Sequence, residues 1–176
     1  VLRAAERSAA GFRCLSARGV ESEAALGHAA LLELLSPLRG LLPDVPTTQA
    51  AALSSALGWG PAHVPADRFL VAAATMSLLA LAADVAPVLV VVDDVQWVDR
   101  ESADAVLFAA RRLGRDRVAF VLSRRRGSTS PDPLDGLPVL SLAGLQAADA
   151  DALLPGIGHE VAARLVDGTG GNPLAL

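Results

Sequence analysis

The chain contains no lysine, and all 15 of its basic residues are arginine. Chemistry that needs a lysine ammonium is therefore excluded, from Schiff-base formation to the lysine that grips phosphate in a P-loop. Cysteine is nearly absent as well. A single Cys14 allows no intramolecular disulfide and no cysteine-based zinc site. It reads as a core residue on a strand, and with no basic partner nearby in sequence a nucleophilic role is disfavoured. His28, His63 and His159 stand far apart and show no ligand spacing. No serine lies in a nucleophile-elbow pattern, which disfavours a serine hydrolase. The longest uncharged run, residues 69–83, is shorter than the ~20 residues that a bilayer requires and is diluted with Ala, Thr and Ser. It reads as a buried helix, and no membrane partner is expected. Residues 1–7 carry mixed charge and no apolar segment, unlike a signal peptide, and a reducing cytoplasm is the expected compartment. The first residue is not Met, so the chain is expected to begin inside a longer reading frame or to be processed.

What remains is an apolar, mildly acidic chain. Its 176 residues are 52% hydrophobic and 19% charged, with a net charge of −4 and a mean hydropathy of +0.44. That length and composition suit one domain, or one domain with a small appendage, around a true hydrophobic core. The acidic balance argues against nucleic-acid binding by the whole domain.

Periodicity and breakers divide the chain into alternating elements. A helix end is expected over 2–10 with Gly11 beyond it, and a strand over 12–18 stopped by Gly19. A helix is expected over 24–35, ended by Pro37, then a loop over 40–46 and a helix to Leu57 capped by Thr47 or Thr48. Asp67 stands in the first turn of a long helix that ends near Ala83. After Pro87, the continuous run Val88-Leu89-Val90-Val91-Val92 predicts a central parallel strand buried on both faces. A helix over 102–113, a strand over 118–122, a loop over 127–138, a strand over 139–142 and short helices over 147–154 and 160–167 follow. The alternation predicts an α/β fold with a largely parallel sheet, residues 1–145, and a small helical lid, residues 146–176.

Three segments carry possible chemistry. Asp93 and Asp94 end the buried strand, where ligands sit in open α/β sheets; paired carboxylates there hold Mg²⁺ through water and orient an attacking water. The alternative is a plain strand end and turn. Asp99, five residues on, reads more readily as an N-cap, with Glu101 in the first turn, than as a chemical group. At the next strand end stand Ser123-Arg124-Arg125-Arg126, where a guanidinium suits a γ-phosphate; the alternative is a solvated basic loop. With Arg111, Arg112, Arg115 and Arg117 this stretch holds seven arginines, a possible nucleic-acid contact, although no aromatic platform accompanies it. The third segment is Gly170-Gly171-Asn172-Pro173-Leu174, which reads either as a helix stop followed by Pro at the start of a new helix or as a contact with a nucleotide base.

Taken together, the segments resemble one family. Residues 88–99 resemble the Walker B strand of the STAND class of AAA+-related P-loop NTPases, residues 120–126 their arginine-bearing sensor strand, and Gly170–Leu174 the Gly-Asn-Pro motif of their lid. Arg18-Gly19-Val20-Glu21-Ser22-Glu23 and Asp67-Arg68-Phe69-Leu70 are similar to the ATPase module of large LuxR-type transcriptional regulators of actinobacteria. The similarity spans essentially all 176 residues. It implies a three-layer P-loop NTPase core and an ATP-binding switch, open with ATP and closed with ADP. Carried over by position, Asp93 would hold Mg²⁺ through water and Asp94 would be the catalytic base. Asp stands at Asp94 where many related ATPases have Glu, which implies slow hydrolysis. Arg125, with Arg124 as the near alternative, would be the sensor, and Asn172 and Pro173 would line the nucleotide, Pro173 against adenine or ribose. The family's Gly-x-x-x-x-Gly-Lys-Ser/Thr loop has no counterpart here. The resemblance places that loop just before the helix over 2–10, so the first core strand and the phosphate cradle would be missing and the sheet would have an unfilled central place. DNA would be reached only through a helix-turn-helix that these residues do not include. Other partners would be further domains of a regulator or a second copy.

The competing expectation is an inactive fragment or protein-interaction module with no affinity for nucleotide and with exposed apolar surface.

Overall fold

Val88–Asp93 forms strand β2 of a computed structural model that describes residues 1–60, 66–125, 134–154, 156–173 and 175, with backbone only at 147, 150 and 151. His63, Arg126, residues 127–133 of the expected loop and Leu174 of the terminal motif lie outside the described residues. The β-branched run of β2 is buried along its length, Val88 and Val90 completely, because it pairs in parallel on both edges. On one side lies β1, Arg13–Arg18, in the register Arg13 to Val88 through Arg18 to Asp93. On the other lies β3, Val118–Leu122, with Val88 opposite Val118 and Val92 opposite Leu122. The protein is thus α/β, with a three-stranded parallel sheet in the order β1-β2-β3.

The helices connect and cover this sheet. α1 is Leu2–Ser8, α2 Ala29–Leu35, α3 Thr47–Ala56, α4 Arg68–Val85 and α5 Arg100–Ala110. Asp67 is the N-cap of α4, its Oδ1 accepting the Leu70 N–H at 2.9 Å. The apolar length of α4, enough by size and composition to cross a bilayer, is half buried in packing against α3, α5 and the sheet. Val71, Ala74, Leu78, Leu79 and Ala82 form its buried stripe. Residues Val1–Asp135 make one compact unit. Gly136–Leu176 make a second, which holds α6, Ala147–Leu153, and α7, His159–Thr169.

Several local expectations are corrected. Cys14 is exposed: β1 alternates, burying Leu15 and Ala17 and turning Cys14, Ser16 and Arg18 outward. The helix expected from residue 24 begins at Ala29. Before it, Glu21–Glu23 form a 3-10 turn and His28 has a left-handed backbone, φ 65°. The expected loop over 40–46 is mostly a 3-10 helix, Ser36–Asp44, and α3 starts after Pro46 with no threonine cap bond. The stretch 139–142 is no strand. Val139, Leu140 and Leu142 are exposed, and among the described residues no strand pairs with them. The three strands are contiguous, so no unfilled place lies between them.

Candidate functional site

The crossover from β1 through three helices to β2, and from β2 through α5 to β3, brings three strand C-termini side by side. Each delivers polar groups: Arg18 and Gly19 from β1, Asp93 and Asp94 from β2, and Ser123, Arg124 and Arg125 from β3. This is the edge of a parallel sheet at which ligands bind, because the carboxyl ends carry the connecting turns and leave backbone and side chains free to face a ligand.

Asp93 is the last residue of β2 and is half-buried. The Ser123 hydroxyl donates to its Oδ1, and the Asp94 N–H does so at 3.1 Å. The same hydroxyl accepts the Asp94 N–H at 3.0 Å. Ser123 therefore ties the ends of β2 and β3 together at the carboxylate. Among the described residues nothing donates to Asp93 Oδ2, which leaves a hard oxygen for a cation.

Asp94 turns the chain sharply. Its backbone is left-handed, φ 52° and ψ 50°, a conformation that Asp tolerates better than most residues. Trp97 N–H donates to the Asp94 carbonyl at 2.8 Å, and Val95 N–H to the Ser123 carbonyl at 2.9 Å, closing a single 3-10 turn over Val95–Trp97. The Asp94 carboxylate, 19% exposed, stands between two arginines. Arg18 Nη2 lies 3.6 Å from Oδ2 and Arg125 Nε 3.9 Å from Oδ1. Both guanidinium side chains are mainly in solvent, 69% and 74% exposed, so these contacts are screened and adjustable. Gln96 Nε2 donates to Asp94 Oδ1 at 2.9 Å, and Gln96 Oε1 accepts the Arg125 N–H at 3.2 Å.

Gly19 lets β1 approach this turn. A Cβ there would lie against the Asp94 carbonyl and 2.8 Å from both Trp97 C and Val98 N. Gly19 N–H also donates to the Asp93 carbonyl at 2.8 Å, extending the β1–β2 ladder past Arg18.

The structure thus gathers Asp93, Asp94 and Arg125, with half-buried Arg124 next along the chain. Sequence reasoning missed Ser123 as a partner of Asp93, Gln96 as a bridge and Arg18 as a second cation. Ser123 and Arg18 were legible in principle as the polar residues that end the two strands flanking β2. Asp99 follows its capping reading: it is the N-cap of α5, 2% exposed, and accepts the Ser102 N–H at 2.9 Å. Asn172 and Pro173 are exposed in the second unit. There Gly170, φ 61°, ends α7 as a helix stop, and Gly171, φ 70°, has no room for a Cβ, which would lie 2.6 Å from Leu145 N. No described helix begins at Pro173.

Three of the clustered arginines are used within the chain. Arg117 Nη2 donates to the carbonyls of Ala83 and Asp84 at 2.6 and 2.8 Å, and Arg112 stacks 3.6 Å over the Phe108 ring. Arg111 Nη2 donates to the Asp135 carbonyl at 3.4 Å.

The donor set at Asp93 and Asp94 fits a hydrated Mg²⁺ shared with phosphates, which needs only one or two carboxylates and keeps several waters. A site made by three or more His, Cys, Asp or Glu is not found among the described residues. Comparison with known proteins found no match among protein-family models, curated proteins or solved structures.

Proposed function

We propose that the chain is the greater part of an ATP-binding switch module, a P-loop NTPase core of the STAND type found in LuxR-type bacterial transcriptional regulators, working in the cytoplasm. One observation carries the reading. Two adjacent carboxylates end the central strand of a parallel sheet, with a serine and an arginine from the neighbouring strand end against them. Ordinary strand-end turns do not need a second strand's hydroxyl on one carboxylate and a guanidinium beside the next. A site for a polyphosphate with its divalent cation uses both.

In this reading Asp93 Oδ2 holds the waters of Mg²⁺, which neutralises phosphate charge when bound. Asp94 orients the attacking water and accepts its proton. Arg125, with Arg124 beside it, pairs with the terminal phosphate, and Ser123 keeps Asp93 aimed. The Asp94 side chain is one methylene shorter than Glu, so hydrolysis is slow and the module serves as a switch. Without a lysine or a glycine-rich cradle in these residues, tight phosphate binding depends on a loop that they do not contain.

Calorimetric titration with Mg·ATP tests this in two forms: the 176-residue chain, and the chain extended upstream through any phosphate-binding loop that its reading frame encodes. The extended form is expected to bind, and Asp93→Ala to weaken that binding at least tenfold. Affinity unchanged by Asp93→Ala, or no binding by either form, overturns the proposal.

A further inference from the structure

Gln96 has its two polar side-chain atoms on different strand ends. Its Nε2 donates to Asp94 Oδ1 at 2.9 Å, and its Oε1 accepts the backbone N–H of Arg125 at 3.2 Å. The main chain beneath it has little freedom. The 3-10 turn Val95–Trp97 is held to β3 through the Val95 N–H on the Ser123 carbonyl, closed on itself through Trp97, and pressed from the β1 side at Gly19. A half-buried amide on a fixed backbone therefore joins the carboxylate at the end of β2 to the segment that carries Arg125.

We infer that Gln96 is a positioning residue that sets the Asp94 carboxylate and couples it to the main chain of Arg125. The inference rests on the nucleotide-binding reading and deepens it by naming how that site is regulated. A primary amide serves both bonds, donating at one end and accepting at the other. The direct contact between Arg125 and Asp94 is long, 3.9 Å, and its arginine is exposed, so it transmits little. The two bonds of the amide bridge are shorter, 2.9 and 3.2 Å, and the one to Asp94 is partly buried. When phosphate draws Arg125 toward itself, the main chain at Arg125 shifts; Gln96 follows through Oε1 and re-aims Asp94 through Nε2. Because coupling free energy is reciprocal, a change at Asp94 also alters how Arg125 is held.

Substitution separates the two bonds. Gln96→Leu, close in size, removes both. Gln96→Glu keeps an acceptor for the Arg125 N–H but sets a second carboxylate against Asp94. The test uses whichever form of the chain binds Mg·ATP in calorimetry, with three readouts: affinity, the single-turnover hydrolysis rate, and hydrogen exchange at the Arg125 amide. In both variants affinity is expected to stay within about threefold of wild type while hydrolysis falls tenfold or more. The Arg125 amide is expected to exchange at least tenfold faster in Gln96→Leu and to stay protected in Gln96→Glu. A Gln96→Glu protein that hydrolyses at the wild-type rate, or an Arg125 amide unaffected by Gln96→Leu, overturns the inference and leaves the nucleotide reading standing. Loss of affinity equal to that of Asp93→Ala marks Gln96 as a binding residue and overturns the positioning role. If no form binds nucleotide, the functional reading fails and this inference fails with it.

Discussion

The carboxylate of Asp99 accepts the backbone N–H of His28 at 2.8 Å, across 71 residues of sequence. The same side chain accepts Ala30 N–H at 3.2 Å and Ser102 N–H at 2.9 Å, so one buried carboxylate caps α2 and α5 together. Ser102, completely buried, adds a second tie by accepting Leu31 N–H through its Oγ at 2.8 Å. Asp99→Ala leaves three backbone donors without their acceptor. Its expected cost is about 2–4 kcal/mol, above an ordinary cap because two helices depend on it. Asp99→Asn, which keeps an acceptor oxygen, should recover at least half of that loss. Urea unfolding of the three proteins measures both values; a cost for Asp99→Ala below that of a single exposed cap contradicts the shared role.

Gly19 is required by contact. Its φ is ordinary, but a methyl group there meets main-chain atoms of Asp94, Trp97 and Val98, which cannot move aside as a side chain can. Gly19→Ala is expected to cost about 1–3 kcal/mol and to displace the 94–98 turn. Denaturation gives the energy, and amide shifts or exchange at Val95 and Trp97 report the displacement. Gly114, around which no atom would meet a Cβ, is the control, and Gly114→Ala should leave the turn unchanged.

Two arginines of similar appearance should behave differently. Arg117 donates to the final carbonyls of α4, groups that otherwise lack intrahelical partners, so Arg117→Ala is expected to cost about 1 kcal/mol. Arg18 makes a long ion pair from a largely exposed side chain, and Arg18→Ala is expected to change stability by less than about 0.5 kcal/mol. Urea midpoints for the pair check the order. A larger loss at Arg18 would mean that its contact with Asp94 holds the strand ends together more firmly than its exposure allows.

The central strand and its terminal carboxylates were legible in sequence because they are local facts. Five consecutive apolar residues with three adjacent valines cannot sit comfortably in water on either face, and two aspartates cannot continue such a strand. The long helix was legible for the same reason, its apolar length bounded by Asp67 and Pro87. Helix α2 was not. Its start is set by a carboxylate 69 to 71 residues away, and no local pattern over 24–29 announces that. The stretch 139–142 has strand composition, but a strand exists only where a neighbour supplies a ladder, and among the described residues none does. Cys14 was misplaced because burial on β1 depends on which face the helices cover, and β1, at the end of the three-strand order, buries alternate residues only.

The candidate site divides along the same line. Composition removed lysine chemistry, an intramolecular disulfide and a cysteine-based zinc site outright, and hydrophobic patterning put Asp93 and Asp94 at a strand end, since both follow from residue type and near neighbours alone. Which strands lie on either side of β2, and in what register, was decided by tertiary structure. That pairing set Ser123 on Asp93, Arg18 and Arg125 about Asp94, and Gln96 between two strand ends. Apart from the local Gln96–Asp94 bond, these contacts join residues 29 or more apart in sequence, and they form only when parallel crossovers bring the strand ends together.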